Sequence, residues 1–186
     1  MARSHWSRLV ERARMIGGGN AGRREASVTP ADRDSAVEAE EAALRILNGA
    51  AQSAAGLQRR LRRRGFTEEA AERATAAMLR FGYIDDTALA QSIAGRRQRT
   101  GRGRVRVAAE LRARGIDDQA IAATLGDIDP DAERTSALEL GRRLAARASR
   151  DIADRQSRQR LGGVLQRRGF DTDTVVWVLR ELEREG

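Results

Sequence analysis

Three times this chain runs what reads as a basic amphipathic helix into a glycine, a bulky apolar residue and an acidic cluster. The copies are Leu61-Arg62-Arg63-Arg64-Gly65-Phe66, Leu111-Arg112-Ala113-Arg114-Gly115-Ile116 and Leu165-Gln166-Arg167-Arg168-Gly169-Phe170, with glycines 50 and 54 residues apart. Aligned on the glycine, position −8 holds Leu57, Val107 and Leu161, and position −4 holds Leu61, Leu111 and Leu165. Position +1 holds Phe66, Ile116 and Phe170; position +2 holds Thr67, Asp117 and Asp171, all residue types that cap helix N-termini. Agreement in physical role at four positions predicts an array of related helical units. Arrays present extended surfaces, whereas catalysis usually needs one closed pocket.

The expected fold is all-α: three tandem three-helix repeats in an elongated, curved array without a β-sheet. β-branched runs are absent, and no two-residue hairpin turn separates alternating segments. Residues 1–34 read as a basic flexible tail, cut off by Gly17-Gly18-Gly19 and Thr29-Pro30. Repeat one covers 35–82, repeat two 83–128 and repeat three 129–186. In repeat one, a helix over 36–48 carries a stripe of Ala36, Val37, Leu44 and Leu47. Ser53 caps a second helix ending at Gly65, and Thr67 caps a third reaching about Arg80. Repeat two starts at Asp85-Asp86, restarts over 104–114 and ends near Leu125. Repeat three has a long helix over about 132–148, a polar stretch around 151–155, a helix bearing Leu161 and Leu165, and a last stripe of Val175, Val178, Leu179 and Leu182.

Composition narrows the function classes. Aromatics make up 3% of the chain, and much of its 40% hydrophobic content is alanine, which favours helix but buries little area. Small cores, one per unit, are expected. There is no cysteine and the single histidine, His5, has no ligand partners nearby, so disulfides, thiolate metal sites and His-based nucleophile pairs have no basis. No apolar run approaches the ~20 residues that span a bilayer, and the N-terminus lacks an apolar signal core. These features predict a soluble cytoplasmic chain without metal or cofactor.

Net charge is +8, and all 35 basic residues are arginine. Guanidinium stays charged and grips phosphates and carboxylates bidentately, which points to acidic partners. Arg96, Arg97, Arg99, Arg102, Arg104 and Arg106 fall within eleven residues that contain no acid. Thr100-Gly101-Arg102-Gly103 interrupts them, so they span one helix end, a turn and the next helix start. Glycine there would let the backbone approach a phosphate and offer it free N–H groups. The alternative is a solvated loop in an arginine-rich chain. A secondary cluster, Arg59, Arg62 and Arg63, shares its helix with Leu57 and Leu61, and part of it can pair with Glu68, Glu69 and Glu72. A third, Arg155, Arg158, Arg160, Arg167 and Arg168, is diluted by Asp151 and Asp154.

Phe66, Phe170 and Trp177 occupy core positions of the repeat, which leaves few stacking platforms for bases. Nucleic-acid binding would then be backbone electrostatics, salt-sensitive and weakly sequence-specific. The pairs Asp85-Asp86, Asp117-Asp118 and Glu68-Glu69 all fall in helix first turns, where capping accounts for them without catalysis. Gly101-Arg102-Gly103 is too short for a dinucleotide fingerprint.

The run Gly82-Tyr83-Ile84-Asp85-Asp86, with Ala88-Leu89-Ala90, Ile93, Arg96-Arg97, Gly103, Glu110-Leu111 and Arg114-Gly115-Ile116, resembles the central block of the RecX family of recombinase regulators. The three-repeat layout over 36–186 matches as well. Leu89 stands where the family commonly has phenylalanine, and Gly56-Leu57 where it usually has Glu-Leu. The resemblance implies a non-enzymatic modulator that lodges in the groove of the RecA–DNA filament and suppresses ATP hydrolysis and strand exchange; the chain itself is expected to be a monomer. Some members also bind DNA directly. The expected partners are the RecA filament and single- or double-stranded DNA through phosphate contacts, with no membrane. Arg96 to Arg106 would contact the acidic groove or the DNA backbone. An autonomous DNA-binding protein and a helical adaptor for another acidic protein are the alternatives.

Overall fold

In a computed structural model of the chain, residues 33–148 and 154–185 are described. The expectations for the basic tail, for His5 and for most of the polar stretch 151–155 concern residues outside that set. Nine helices and no strand occur among the described residues: α1 Ala36–Gly49, α2 Ala54–Arg63, α3 Glu68–Arg80, α4 Asp86–Arg99, α5 Arg104–Arg114, α6 Asp118–Gly126, α7 Pro130–Ala148, α8 Arg155–Arg168 and α9 Thr172–Glu185. None of these helices is long and apolar enough to cross a membrane.

The thrice-repeated motif is a helix stop coupled to a helix start. At its glycine the chain turns left-handed, with φ of 103° at Gly65, 83° at Gly115 and 92° at Gly169, a conformation that a Cβ disfavours. The next residue then donates its N–H back to the leucine carbonyl five positions earlier: Phe66 to Leu61 at 3.3 Å, Ile116 to Leu111 at 3.1 Å and Phe170 to Leu165 at 3.3 Å. This six-to-one bond is a Schellman cap, and the apolar contact that accompanies it joins the two bonded residues. All six side chains are buried. One residue later, Thr67, Asp117 and Asp171 accept N–H bonds from Ala70, Ala120 and Thr174, which starts the next helix.

The chain divides into two compact units, one ending at Leu89 and the other beginning at Ala90. In the first, α1 packs on α3 over a core in which Ala39, Ala42, Ala43, Ala70, Ala71 and Ala74 are buried. The face of α1 differs from the expected stripe. Leu44 is buried as expected, but Val37 is 43% exposed and Leu47 only partly buried, while Ala39, Ala42, Ala43 and Ile46 also face inward. Small side chains let two helices approach closely, so alanines share the packed face with Leu44 and Ile46. Asp86 ties the start of α4 to this unit by accepting the Ala54 N–H at 3.0 Å.

The second unit holds the rest of repeat two together with repeat three. Ile93, Val107, Leu111, Ile116 and Ile121 are buried in repeat two. In repeat three, Ala137 and Leu140 of α7, Leu161 and Leu165 of α8, and Val175, Val178 and Leu182 of α9 close a core around Phe170. Trp177 packs at its edge, partly buried, where a fully core position was expected.

Candidate functional site

The acid-free arginine run spans the last turn of α4, a Schellman turn and the first turn of α5. Gly101 is the left-handed residue, with φ of 64°; its N–H reaches the Gln98 carbonyl at 2.9 Å, and the Arg102 N–H reaches the Arg97 carbonyl at 3.0 Å. Four of the five positive-φ glycine turns place apolar residues at the two ends of the six-to-one bond: Leu61 and Phe66, Met78 and Tyr83, Leu111 and Ile116, Leu165 and Phe170. The fifth places Arg97 and Arg102 there. A local rule kept elsewhere and broken at one turn is the pattern of a functional position.

The start of α5 is not the open phosphate cradle that the glycines suggested. The Gly103 N–H donates to the Arg168 carbonyl at 3.1 Å and the Val105 N–H to the Gly169 carbonyl at 3.0 Å. The Arg104 N–H donates to Glu133 Oε1 at 2.7 Å. Protein oxygens thus take up the exposed donors of this helix end, two of them carbonyls at the close of α8. Gly103 is required for the approach, since a Cβ there would lie 2.3 Å from the Gly169 carbonyl oxygen.

The six arginines separate into two groups. Arg97 grips Glu110 with both Nε and an Nη, at 2.6 and 2.9 Å, and Arg114 adds a third contact at 3.2 Å. Those hydrogen bonds hold the Glu110 carboxyl below its ordinary pKa against partial burial, and they raise that of Arg97. Arg104 bonds the buried Glu133 through Nε at 2.5 Å. Both arginines therefore already hold a carboxylate of this chain. Arg96, Arg99, Arg102 and Arg106 pair with no carboxylate among the described residues and remain available to a partner.

In the secondary cluster, which belongs to α2 of the first unit, Arg62 pairs with Glu68 at 2.6 Å and Arg63 is exposed. Glu69 engages Arg73, and Glu72 accepts from Gln58. Sequence reasoning passed over Glu133, which anchors Arg104 from 29 positions away, and read Arg168, whose carbonyl meets Gly103, only as a member of the diluted third cluster. The glycine alignment already placed Arg168 in a repeat position, but nothing in the sequence signals that Gly169 and Gly103 touch.

The paired carboxylates act in structure. Asp85 accepts the Ala88 N–H, Asp117 caps α6, and Asp118 pairs with Arg112 at 3.0 Å. Asp171 sits below its ordinary pKa because the Thr174 N–H bonds it, with the charges of Arg104 and Arg134 adding to that. No group of three or more metal-ligating side chains occurs among the described residues. A shallow groove between α8 and α9, about 440 Å³, is floored by Gly162, Gly163, Val175 and Leu179; its one carboxylate, Glu183, is bonded to Arg158. On the first unit, Leu79, Phe81 and Tyr83 are exposed, with the Arg80 guanidinium 4.8 Å from the Phe81 ring centre.

Comparison with known proteins agrees with this architecture. Residues 85–125 match the second three-helix domain of RecX and residues 131–179 the third. Regulatory protein RecX from Mycobacterium sp. (strain JLS) is 35% identical over 156 residues, covering 80% of this chain and 85% of the relative. That from Mycobacterium leprae is 32% identical over 151 residues, covering 81% and 88%. The crystal structure of RecX from Lactobacillus salivarius superposes with a TM-score of 0.72 at 21% identity, covering 80% of this chain and 96% of that one. On the strength of these sequence matches and the three capped repeats, the chain belongs to the RecX family of regulatory proteins.

Proposed function

We propose that this protein regulates the RecA recombinase by binding the RecA–DNA filament, restraining ATP hydrolysis and strand exchange and thereby tuning recombination and repair. Membership in the RecX family supports the choice of partner. The observation that supports the contact face is the α4–α5 turn, where Arg96, Arg99, Arg102 and Arg106 have no carboxylate partner among the described residues while Arg97 and Arg104 are held by Glu110 and Glu133.

A filament on DNA presents a long polyanion, and fixed guanidinium groups gain both association rate and salt-sensitive affinity against such a surface. A helical array bridging neighbouring subunits would favour one subunit arrangement over the others that nucleotide turnover must visit. Inhibition then follows from differential binding to those states, without any chemistry by the regulator.

The test is DNA-dependent ATP hydrolysis by the cognate RecA, titrated with this protein at several salt concentrations. Hydrolysis should fall as the protein approaches stoichiometric ratios, and the effect should weaken with salt. Unchanged hydrolysis at stoichiometric ratios would overturn the proposal.

A further inference from the structure

Two basic clusters that are 60-odd residues apart in sequence meet at one junction. Gly103 and Val105 bond the carbonyls of Arg168 and Gly169, and a Cβ on Gly169 would lie 2.3 Å from the Arg106 Cβ. These contacts set Arg102 and Arg106 of repeat two beside Arg168 of repeat three, all within the second compact unit. None of the three guanidinium groups pairs with a carboxylate among the described residues. The nearby acids are already engaged, Glu133 by Arg104 and Asp171 by the Thr174 N–H. Arg102 also stands where the other Schellman turns carry an apolar residue.

We propose that Arg102, Arg106 and Arg168 form one composite site, built across the junction of two repeats, that takes the phosphate backbone of a nucleic acid. The proposal rests on the reading above in that the α4–α5 turn is the functional face, and it adds the third repeat to that face. The chemistry of the surroundings selects the occupant. A protein interface is organised around a buried apolar and aromatic centre, yet Val105 is the one exposed large apolar side chain on α5. Single-strand readers offer aromatic platforms beside the basic groove, and neither α5 nor α8 contains an aromatic residue. A phosphate backbone needs only fixed cations, and the glycine-tight junction fixes the main chain that carries these three. Binding by this site is therefore indifferent to sequence and steep in salt.

The full-length protein, without RecA, is titrated against a fluorescent mixed-sequence DNA duplex over a range of salt concentrations. Each phosphate contact contributes about 0.9 to the log–log salt slope, so Arg106→Ala and Arg168→Ala should each flatten it by roughly that amount. Arg168→Lys should keep the slope, and Arg147→Ala, an exposed change elsewhere on α7, should leave both slope and affinity as they are. Circular dichroism identifies any variant that fails to fold, and the lysine variant keeps the test decisive in that case. A folded Arg168→Ala protein with unchanged slope and affinity would overturn the composite site. A wild type that inhibits RecA yet does not bind the duplex at low salt would also overturn it, assigning the surface to an acidic protein partner and leaving the regulatory reading intact. Duplex binding with the expected slope losses supports the site whatever the RecA assay returns.

Discussion

Glu133 holds Arg104 with both carboxylate oxygens: Oε1 accepts its backbone N–H at 2.7 Å and Oε2 its guanidinium Nε at 2.5 Å. One side chain of α7 thus caps α5 and neutralises its first arginine, joining the second repeat to the third. The Glu133 side chain is 6% exposed and that of Arg104 30%. Removing one partner of a largely buried pair strands the other, so Glu133→Ala should destabilise the second unit by about 2–4 kcal/mol. Glu133→Gln keeps an acceptor for the N–H and should lose less. Urea denaturation of the two variants checks the order.

The Glu110 carboxyl lies below its ordinary pKa, first through its hydrogen bonds with Arg97 and then through Arg114, against the opposing effect of burial. The unfolded chain therefore binds this proton at a higher pH than the folded one, near the ordinary glutamate value of about 4.3. The stability supplied by the pair is complete above that value and is lost as the pH falls through the lower folded pKa. Asp171, depressed by the Thr174 N–H, acts in the same direction. Glu110→Gln should lower the melting temperature at neutral pH and converge on the wild type in acid. Melting curves taken from neutral pH to below the carboxylate range test this, and parallel curves for the two proteins would contradict it.

Three glycine-to-alanine changes separate backbone conformation from close approach. Gly103 has φ of −77°, which alanine adopts freely, so any loss at Gly103→Ala comes from the collision with Gly169. Gly82 has φ of 73° and open space where its Cβ would stand; alanine there should cost about 1–2 kcal/mol, from conformation alone. Gly95 lies inside α4, and its Cβ would meet only the flexible end of Arg99 at 3.5 Å, so Gly95→Ala should stabilise by about 0.5–1 kcal/mol. Thermal melts should rank Gly95→Ala above wild type and wild type above Gly82→Ala, with Gly103→Ala the least stable.

Helix ends were the most legible part of this chain, because each stop is spelled locally. A glycine, the apolar residue after it and the leucine four before it form one bonded turn, and the following Thr or Asp starts the next helix. Which face of α1 packs was less legible: Val37 is the larger residue, yet alanines line the contact with α3. The division of labour among the arginines was not legible at all. Arg97 meets Glu110 from 13 residues away and Arg104 meets Glu133 from 29, and only tertiary packing brings those pairs together. Local sequence showed an acid-free run; the acids that claim two of its members arrive from other helices.

That division makes the last prediction. Arg96, Arg99, Arg102 and Arg106 have no carboxylate partner among the described residues, so replacing all four with alanine removes charge without breaking an ion pair. Alanine is also at least as good a helix former as arginine at the three helical positions. The quadruple variant should melt within a few degrees of wild type but need at least about tenfold more protein to half-inhibit RecA, equivalent to roughly 1.4 kcal/mol of lost binding. Arg97→Ala should do the reverse, leaving Glu110 without its bidentate partner and lowering the melting temperature while a folded molecule still inhibits. Paired measurements of melting temperature and half-inhibitory concentration separate the two groups. Full inhibition by the folded quadruple variant would remove these four arginines from the contact face; loss of inhibition in an Arg97→Ala protein of unchanged stability would show that its guanidinium meets the partner directly.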